Sequence, residues 1–206
     1  MAANQGERVR RRLSTEERRE QLLSVGARLF SEHPYDDVWI ERVAEIAGVS
    51  RGLLYHYFPT KRDFFQAIVE RESERMLRLT AAVPGLPLRA QLDTVLDQFL
   101  AYVEAHAHGY RAFHSSEAAG DPAVRKVYRG AMDARERQTL DVLAADPEFG
   151  WTPEQRPELG VAVRGWLALV AAVSLEWVRD GERGGELTRD QVRELCVKAL
   201  LGVIAP

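Results

Sequence analysis

The sequence predicts an all-α protein with a small N-terminal domain and a larger C-terminal domain. Along most of the chain, apolar residues recur every three or four positions, which is typical of amphipathic helices. No segment shows the sustained alternation expected of a β-strand. The stretch AAVPGLPL at 81–88 interrupts the helical pattern with two prolines and a glycine. We therefore divide the chain into a flexible basic arm (1–13), a first domain (14–82) and a second domain (83–206).

The composition indicates a soluble globular protein. Charged residues make up 29% of the chain and the net charge is −3, so overall charge alone does not indicate a nucleic-acid partner. The single cysteine excludes an intramolecular disulfide and fits a reducing cytoplasm. The polar start of the chain does not resemble a signal peptide. The apolar stretch at 161–178 is broken by Arg164, Ser174 and Glu176, so we expect a cytoplasmic protein without a membrane span.

The first domain opens with a capped helix. Ser14 and Glu17 form a capping box, which predicts a helix start directly after Ser14. We expect this helix to end within residues 31–34 and to brace the two helices that follow. Its predicted core face consists of Leu22, Val25 or Gly26, Leu29 and Phe30.

The arm before this helix is rich in arginine. Two interpretations stay open: the arm lies along DNA phosphates or in a minor groove, or it is a tail without a role. Its arginines are Arg8, Arg10, Arg11 and Arg12.

Two short helices joined by a tight turn follow in the stretch WIERVAEIAGVSRGLLYHYFPT (39–60). Gly48 suits the left-handed end of the first helix, Ser50 suits the cap of the second, and Pro59 ends it early. Such a pair matches the helix-turn-helix, whose second helix enters the major groove of DNA. An ordinary helical hairpin is the alternative. Four ring side chains in a row at 55–58 favour the DNA-binding interpretation, because a merely solvated face is usually built from charged residues.

The segment AEIAGVSRGLLYHYFPTKRDFF resembles the signature of the tetracycline-repressor (TetR) family of one-component bacterial regulators. The resemblance covers about residues 14–75 and rests on the Gly-Val-Ser turn, the Leu-Tyr-x-Tyr-Phe run and the following lysine. The rest of the chain matches the family only in length and helical character. Trp39 departs from the pattern, since a serine or threonine usually caps the second helix there. We expect Asp36 or Asp37 to provide the cap instead.

Two residues of the second short helix are candidates for reading bases, and a third permits close approach. Arg51 and His56 are expected to reach base edges, because arginine pairs with guanine in the major groove. Gly52 has no side chain and permits a close approach to DNA. This benefit offsets a cost in helix stability of about 1 kcal/mol relative to alanine.

Other residues are candidates for holding the phosphate backbone. The resemblance implies this role for Tyr55, Tyr57 and Lys61, which occupy the family's phosphate-contacting positions. Lys61 also begins a helix whose amide groups favour an anion. Ser50 is a further candidate, although capping alone explains its presence equally well.

The second domain is predicted to be helical throughout. A long helix from Lys61 to about Leu79 leads into it and is suited to transmit a movement from one domain to the other. Prolines at first-turn positions and capping pairs place several of the helix starts. The predicted helices of the second domain cover residues 88–106, 110–118, 121–143, 153–180 and 189–204.

The last two helices, roughly residues 153–204, are predicted to pair with a second copy of the chain. The helix at 159–178 is apolar nearly all round, so it must be buried on several sides. A role in the monomer core alone is the alternative. A single short recognition helix buries little DNA, and half-sites are normally read in pairs, so we favour a homodimer bound to a double-stranded operator.

The second domain also holds candidates for a small-molecule pocket. The group combines many aromatic side chains with a few polar tips, which suits a small hydrophobic ligand of aromatic or fatty character. For any single member, plain core packing is the alternative. The candidates are Phe99, Tyr102, Val103, His106, Tyr110, Phe113, His114, Tyr128, Met132 and Trp166.

No catalytic, cofactor or metal motif is recognisable in the sequence. His106 and His108 lie two positions apart and would point to different faces of a helix, which makes a poor chelate with Glu104. No phosphate-binding loop, nucleophile elbow or HExxH motif is present. We therefore expect a ligand-responsive regulator, in first place a repressor, that is not an enzyme. The alternative is a helical carrier or enzyme whose helix-turn-helix is vestigial.

Overall fold

The computed structural model describes residues 13–83, 85–114, 122–146, 156–181 and 187–204. Over these ranges the regular structure consists of α-helices, without strands, so the all-α prediction is confirmed. The helices are α1 (Thr15–Glu32), α2 (Ile40–Ala47), α3 (Arg51–Tyr57), α4 (Lys61–Leu79), α5 (Leu88–Ala105), α6 (Ala107–His114), α7 (Pro122–Ala145), α8 (Arg156–Gly181) and α9 (Arg189–Ile204).

Local capping signals set the starts of α1 and α4. The Ser14 hydroxyl accepts a hydrogen bond from the Glu17 amide at 3.1 Å, and the Glu17 carboxylate accepts one from the Ser14 amide at 2.8 Å. Thr60 and Asp63 repeat this arrangement at α4. Both boxes satisfy amide groups that a helix start leaves without partners. The predicted starts of these two helices are confirmed.

The turn between α2 and α3 has the geometry that the sequence predicts. Gly48 adopts a left-handed conformation with φ of 65°, which a side chain would disfavour. Ser50 then caps α3 by accepting a hydrogen bond from the Leu53 amide at 3.2 Å. Phe58 leaves the helical conformation directly before Pro59, so α3 is only seven residues long.

The cap expected for α2 is not formed. Neither Asp36 nor Asp37 caps this helix, and Trp39 at its N-cap makes no side-chain hydrogen bond to it. The reason is a turn ahead of the helix, in which the amide of Asp37 donates to the carbonyl oxygen of Pro34 at 3.1 Å. This turn keeps both aspartates away from the first amides of α2.

One apolar core joins α1, α2 and α3 to α4. Phe30, Val43, Leu54 and Phe64 are among its most deeply buried side chains. α1 crosses α4 closely at Gly26, where an added Cβ atom would lie 2.3 Å from the Phe64 ring. This core holds one face of α3 in place and leaves the other face of that helix exposed to solvent.

The second domain has its own core, built from α5, α7, α8 and α9. Leu100, Leu143, Val163 and Leu200 are fully buried in it. Residues 80–87 separate α4 from α5, where the sequence predicts the domain boundary. The start of α6 differs from the prediction, since this helix begins at Ala107 and not at position 110. The glycine at 109, which obscured the start, lies inside α6.

The long apolar helix α8 differs in one property from what the sequence predicts. Its segment Pro157–Arg179 is long and apolar enough to cross a membrane by length and composition, with a mean hydropathy of 1.6. The expectation that three polar residues would prevent this was wrong. One side of α8 packs into the second core, where Val163, Trp166 and Val170 are buried. The predicted helix start at Thr152 and Pro153 lies outside the described residues.

Candidate DNA-binding surface and ligand cavity

Helix α3 separates an apolar face from a solvent-facing one. Leu54 is fully buried and Phe58 almost so, and both pack into the N-terminal core. Arg51, Gly52 and His56 are exposed on the other side. At Gly52 an added Cβ atom would meet only the Ser50 hydroxyl, at 4.0 Å, so α3 is open to solvent there. α3 thus presents a polar and aromatic face on a rigid support.

A side-chain hydrogen bond links the exposed face of α3 to α2. The Tyr55 hydroxyl donates to Oε1 of Glu41 at 2.6 Å. This bond lowers the pKa of Glu41 and raises that of Tyr55 from their ordinary values, because it stabilises the carboxylate and the protonated phenol. Glu41 was not predicted to contact α3, because a glutamate at the start of a short helix is usually a solvent-exposed residue without a specific partner.

Tyr57 and Lys61 are anchored to neighbouring segments. Tyr57 is half-buried, and its hydroxyl donates to the carbonyl oxygen of Thr15 at 3.4 Å. The Lys61 ammonium donates to the carbonyl oxygen of Asp36 at 3.3 Å and lies 4.5 Å from the centre of the Tyr35 ring. Partial burial lowers the pKa of Lys61 from its ordinary value. Tyr57 ends α3 and Lys61 begins α4, and the phosphate contacts of both residues stay predictions.

Trp39 adds an exposed aromatic surface next to α3. Its side chain is 75% exposed, the same fraction as that of Val161 on α8. A shallow depression beside it is lined by Arg42, Glu45 and Arg51. An aromatic ring takes the place of the usual capping hydroxyl here, and no hydrogen bond holds it against the helix.

The second domain contains two adjoining cavities, which share Ser73, Phe99, Tyr110, Phe113 and Arg135 as lining residues. The first lies among α5, α6, α7 and α8, and the second reaches from α5 and α6 towards α1 and α4. Seven of the ten predicted pocket residues line the first cavity: Phe99, Tyr110, Phe113, His114, Tyr128, Met132 and Trp166. Tyr102 and His106 line the second.

Val103 differs from the other candidates. Its side chain is fully buried and lines neither cavity. Its position on α5, one residue after Tyr102, turns it away from both cavities. The binding role of the remaining nine residues stays a prediction.

A cluster of rings lies at one end of the first cavity. The rings of Tyr110 and His114 are 4.6 Å apart, and those of His114 and Tyr128 are 5.5 Å apart. Burial lowers the pKa of His114 to about 4, so the imidazole is neutral at pH 7. Burial also raises the pKa of Tyr110. The ring cluster therefore offers neutral hydrogen-bonding groups.

Arg135 on α7 borders the same cluster. It was not among the pocket residues predicted from the sequence. Arg135 lies close enough to Tyr110, Tyr128 and His114 for its positive charge to act on these rings, and it contributes to the lowered pKa of His114. Within DARERQ, an arginine on an amphipathic helix reads as one more solvated charge. Only the tertiary packing of α6 against α7 reveals that it lines a cavity.

Helix α6 connects the cavities with the N-terminal domain. Tyr110 and Phe113 on this helix line both cavities. On its other side, Gly109 lies so close to α1 that an added Cβ atom would be 3.3 Å from the carbonyl oxygen of Phe30. A displacement of α6 towards α1 would therefore push directly on the first helix of the N-terminal domain.

The two histidines near the cavities make local contacts. The His106 ring stacks on Tyr102 with 4.1 Å between ring centres, and His108 forms a hydrogen bond with Arg111 at 2.8 Å. Over the described ranges of the chain, no three histidine, cysteine, aspartate or glutamate residues are grouped so that they would hold a metal ion.

A braced helix-turn-helix joined to a helical domain with internal cavities defines the class of one-component bacterial transcription regulators. Comparison with protein families identifies the particular group. Residues 22–68 match the model described as bacterial regulatory proteins, tetR family, and residues 88–202 match the tetracyclin repressor-like C-terminal domain. The chain belongs to the TetR family.

Curated relatives and solved structures agree with this assignment. The chain is 26% identical to the HTH-type transcriptional activator FasR of Mycolicibacterium smegmatis over 143 residues, which cover 68% of this chain and 65% of FasR. It is 32% identical to the HTH-type transcriptional repressor AcnR of Corynebacterium diphtheriae over 89 residues, 43% of each chain. The matched regions thus span less than two thirds of these relatives.

Solved structures match over nearly the whole fold. A TetR-family transcriptional regulator from Streptomyces coelicolor is similar with a TM-score of 0.79 and 29% identity, covering 93% of this chain and 82% of that one. The TetR-like regulator LfrR from Mycobacterium smegmatis, solved in complex with proflavine, has a TM-score of 0.61 at 20% identity. That match covers 94% of this chain and 99% of LfrR, and it shows the fold alone.

Proposed function

We propose that this protein is a homodimeric, sequence-specific DNA-binding transcription regulator that responds to a small hydrophobic ligand. The first version of this proposal is a repressor that the ligand releases from a palindromic operator. The observation that carries this proposal is the exposed face of α3, which a buried core supports from the other side. Family membership gives the same class of function.

The contacts to DNA divide into reading and positioning. Arg51 and His56 project from the exposed face and are suited to base edges, with Gly52 permitting close approach. Lys61 at the start of α4 is suited to hold a phosphate, as are Tyr55, Tyr57 and Ser50. The list of proposed contacts is therefore the one predicted from the sequence. The exposure of α3 supports these contacts. Tyr55 must first release its hydrogen bond to Glu41 before its hydroxyl can donate to a phosphate.

An exposed apolar face on α8 and α9 supports the homodimer. It is made of small and aliphatic side chains, and contiguous surfaces of this kind mark interaction sites. A symmetric dimer would bury one copy of the face against the other. Its exposed residues are Val161, Gly165, Ala168, Leu169 and Ala172 on α8, and Leu195, Gly202 and Val203 on α9, with the half-buried Ala199 beside them.

The dimer would place two α3 helices on one side of a DNA duplex. Half-sites read by such pairs are separated by one helical turn, roughly 34–36 Å. A ligand that favours a different spacing weakens DNA binding. A coupling of about 1–3 kcal/mol weakens it by about 5- to 150-fold, and saturating DNA then weakens ligand binding by the same factor. The contact between α6 and α1 is the proposed route of this coupling.

The compartment and the lack of catalysis follow from the same proposal. A regulator that binds chromosomal DNA in a bacterium acts in the cytoplasm. The curated relatives above are named as transcription regulators, one as an activator and one as a repressor. The sign of regulation is therefore an outcome of the test, and no enzymatic activity is proposed.

The first test is a fluorescence-anisotropy titration of the purified protein with DNA from upstream of its own gene. A scrambled duplex of the same length at the same salt concentration is the control. We expect a preference of about 10³ or more for the upstream DNA. Absence of binding to either duplex at low salt would contradict the proposal and favour the carrier or enzyme alternative. Transcription in vitro from the bound promoter, with and without the protein, would then separate a repressor from an activator.

A further inference from the structure

Arg135 lies near the middle of α7 and lines both cavities. Its guanidinium is largely buried, and burial lowers its pKa from the ordinary value. Arginine nevertheless stays protonated in proteins, so the side chain brings a positive charge into the protein interior. None of the ion pairs formed by the described carboxylates involves Arg135, and the titratable groups that act on its pKa are the phenols of Tyr102, Tyr110 and Tyr128.

The lining of the first cavity does not neutralise this charge. Among its described lining residues, none is an aspartate or a glutamate. His114 is neutral at pH 7, as its lowered pKa requires, and therefore adds no charge. Burying a charge without a partner is unfavourable, and protein interiors normally pair such groups. The first cavity thus carries one positive charge that a bound anion would balance.

The carboxylate that lines the second cavity is already engaged. Glu72 accepts a hydrogen bond from the Tyr102 hydroxyl at 2.8 Å. It also forms ion pairs with Arg71 and, at 3.6 Å, with Arg75. Glu72 is therefore held by three partners on α4 and α5 and is not the counterion of Arg135.

The first cavity is elongated, and the ring cluster lies at one end of it. Its lining positions on α5 run from Leu88 to Phe99, eleven residues apart, which corresponds to about 16 Å along a helix. Phe99 lies near the ring cluster, 6.1 Å from Tyr110. α7 runs in the opposite direction, because Val142 shares a surface depression with Leu88.

Away from the ring cluster the lining is mostly aliphatic. Its polar side chains there, Thr80, Gln91, Gln138 and Thr139, are uncharged and donate hydrogen bonds to main-chain carbonyl oxygens. This part of the cavity therefore favours an apolar chain or ring and offers little to a second charged group. Its aliphatic residues are Leu88, Leu92, Val95, Leu96, Val142 and Val170.

We propose that the ligand of the first cavity is a monoanionic amphiphile whose carboxylate-type head group pairs with Arg135 and whose apolar body extends towards Leu88. The proposal rests on the proposed function, since it specifies the ligand of the same regulator. Tyr110 and Tyr128 would donate further hydrogen bonds to the head group. Arginine suits this role because its planar guanidinium matches a carboxylate with two parallel hydrogen bonds.

Three probes with the same chain and different head groups test the proposal. Decanoate, decan-1-ol and decylamine are titrated into the full-length protein at pH 7.5 by calorimetry, the two ionic probes below their micelle concentrations and the alcohol below its solubility limit. Decanoate should bind at least about tenfold more tightly than the alcohol, because it adds a charge-assisted hydrogen-bonded pair. Equal binding of decanoate and the alcohol, preference for the amine, or no binding of decanoate would overturn the proposal.

Variants on α7 assign the effect to one residue. Arg135→Met should weaken decanoate binding by at least about tenfold and leave decan-1-ol binding unchanged. Arg137→Met is the matched control, since Arg137 lies on the exposed side of the same helix. An Arg135→Met protein that folds and still prefers decanoate would contradict the assignment. If this variant does not fold, the head-group comparison on the unaltered protein still decides the proposal.

DNA binding by the same samples separates this proposal from the proposed function. If the protein does not bind DNA but prefers decanoate through Arg135, the regulator assignment fails and the ligand assignment stands. If it binds its operator but does not prefer decanoate, the ligand assignment fails and the regulator stands. Release of operator DNA by decanoate, and not by the alcohol at the same concentration, would support both.

Discussion

The hydroxyl of Tyr55 on α3 donates its hydrogen bond to Glu41 on α2 at 2.6 Å. A tyrosine hydroxyl has one hydrogen to donate, and a DNA phosphate only accepts hydrogen bonds. Tyr55 can therefore donate to a phosphate only by leaving Glu41. The same carboxylate brings a negative charge next to the surface that is proposed to approach the DNA backbone. We therefore expect Glu41 to oppose DNA binding while its hydrogen bond braces α3.

Replacement of Glu41 by glutamine should strengthen DNA binding. The change removes a negative charge beside the phosphates and weakens the bond that competes for the Tyr55 hydroxyl. We expect affinity to rise about equally for the operator and for a scrambled duplex, since phosphate contacts carry no sequence information. Anisotropy titrations of both duplexes measure this. Glu74→Gln, at the far end of α4, makes the same charge change and should have no effect.

Arg51 and Lys61 should respond differently to substitution by alanine. Arg51→Ala should cost about 1–3 kcal/mol and relax the preference at one base pair of each half-site. Lys61→Ala should weaken binding to all sequences and reduce the salt dependence by about one phosphate contact. Affinities for an operator, for single-base variants of it and for a scrambled duplex, each at several salt concentrations, separate the two. Identical behaviour of both variants would contradict the division into reading and positioning contacts.

Short-range signals made the N-terminal domain predictable. Ser14 with Glu17, Gly48 and Pro59 each act within about one helical turn, so their effect is visible in the sequence alone. The failed cap at Asp36 or Asp37 shows the limit, since a competing turn at 34–38 decides there. Arg135 and Glu41 were missed for a related reason. Their roles come from contacts between separate helices, which local patterning does not encode.

The close crossing of α1 and α4 makes Gly26 intolerant of a side chain. Gly26→Ala places a Cβ atom 2.3 Å from the Phe64 ring, so the core must shift. Overpacking of this kind destabilises a protein by about 1–3 kcal/mol. Urea unfolding measures the change. Gly130→Ala on α7 is the control, because its Cβ atom would meet no neighbour within 4 Å, and alanine should stabilise the helix by up to about 1 kcal/mol.

A charge on the exposed apolar face of α8 should dissociate the dimer. Ala168 lies in the middle of this face and is exposed in the single chain, so Ala168→Glu should leave the protomer folded. In a symmetric interface the substitution buries two like charges near each other, which is strongly unfavourable. Sedimentation equilibrium should show monomers. Val83→Glu, which places the same charge at an exposed valine between α4 and α5, should stay dimeric. If the Ala168→Glu protein is still dimeric, the dimer interface does not include this face of α8.

His114 should make the stability of the second domain depend on pH. Burial lowers its pKa from 6.5 in the unfolded chain to about 4, so the unfolded state binds the proton first. Stability is therefore complete above pH 6.5, falls as the pH decreases towards 4 and stays low below it. At 1.36 kcal/mol per pKa unit the loss amounts to about 3 kcal/mol. Urea unfolding of wild type and His114→Gln from pH 7.5 to 4 measures it, because carboxylates titrate alike in both proteins. We expect the unfolding free energy of wild type minus that of the variant to decrease by about 3 kcal/mol between pH 7.5 and 4. A pH-independent difference would show that His114 binds its proton near pH 6.5 in the folded protein as well, which would contradict the effect of burial on its pKa.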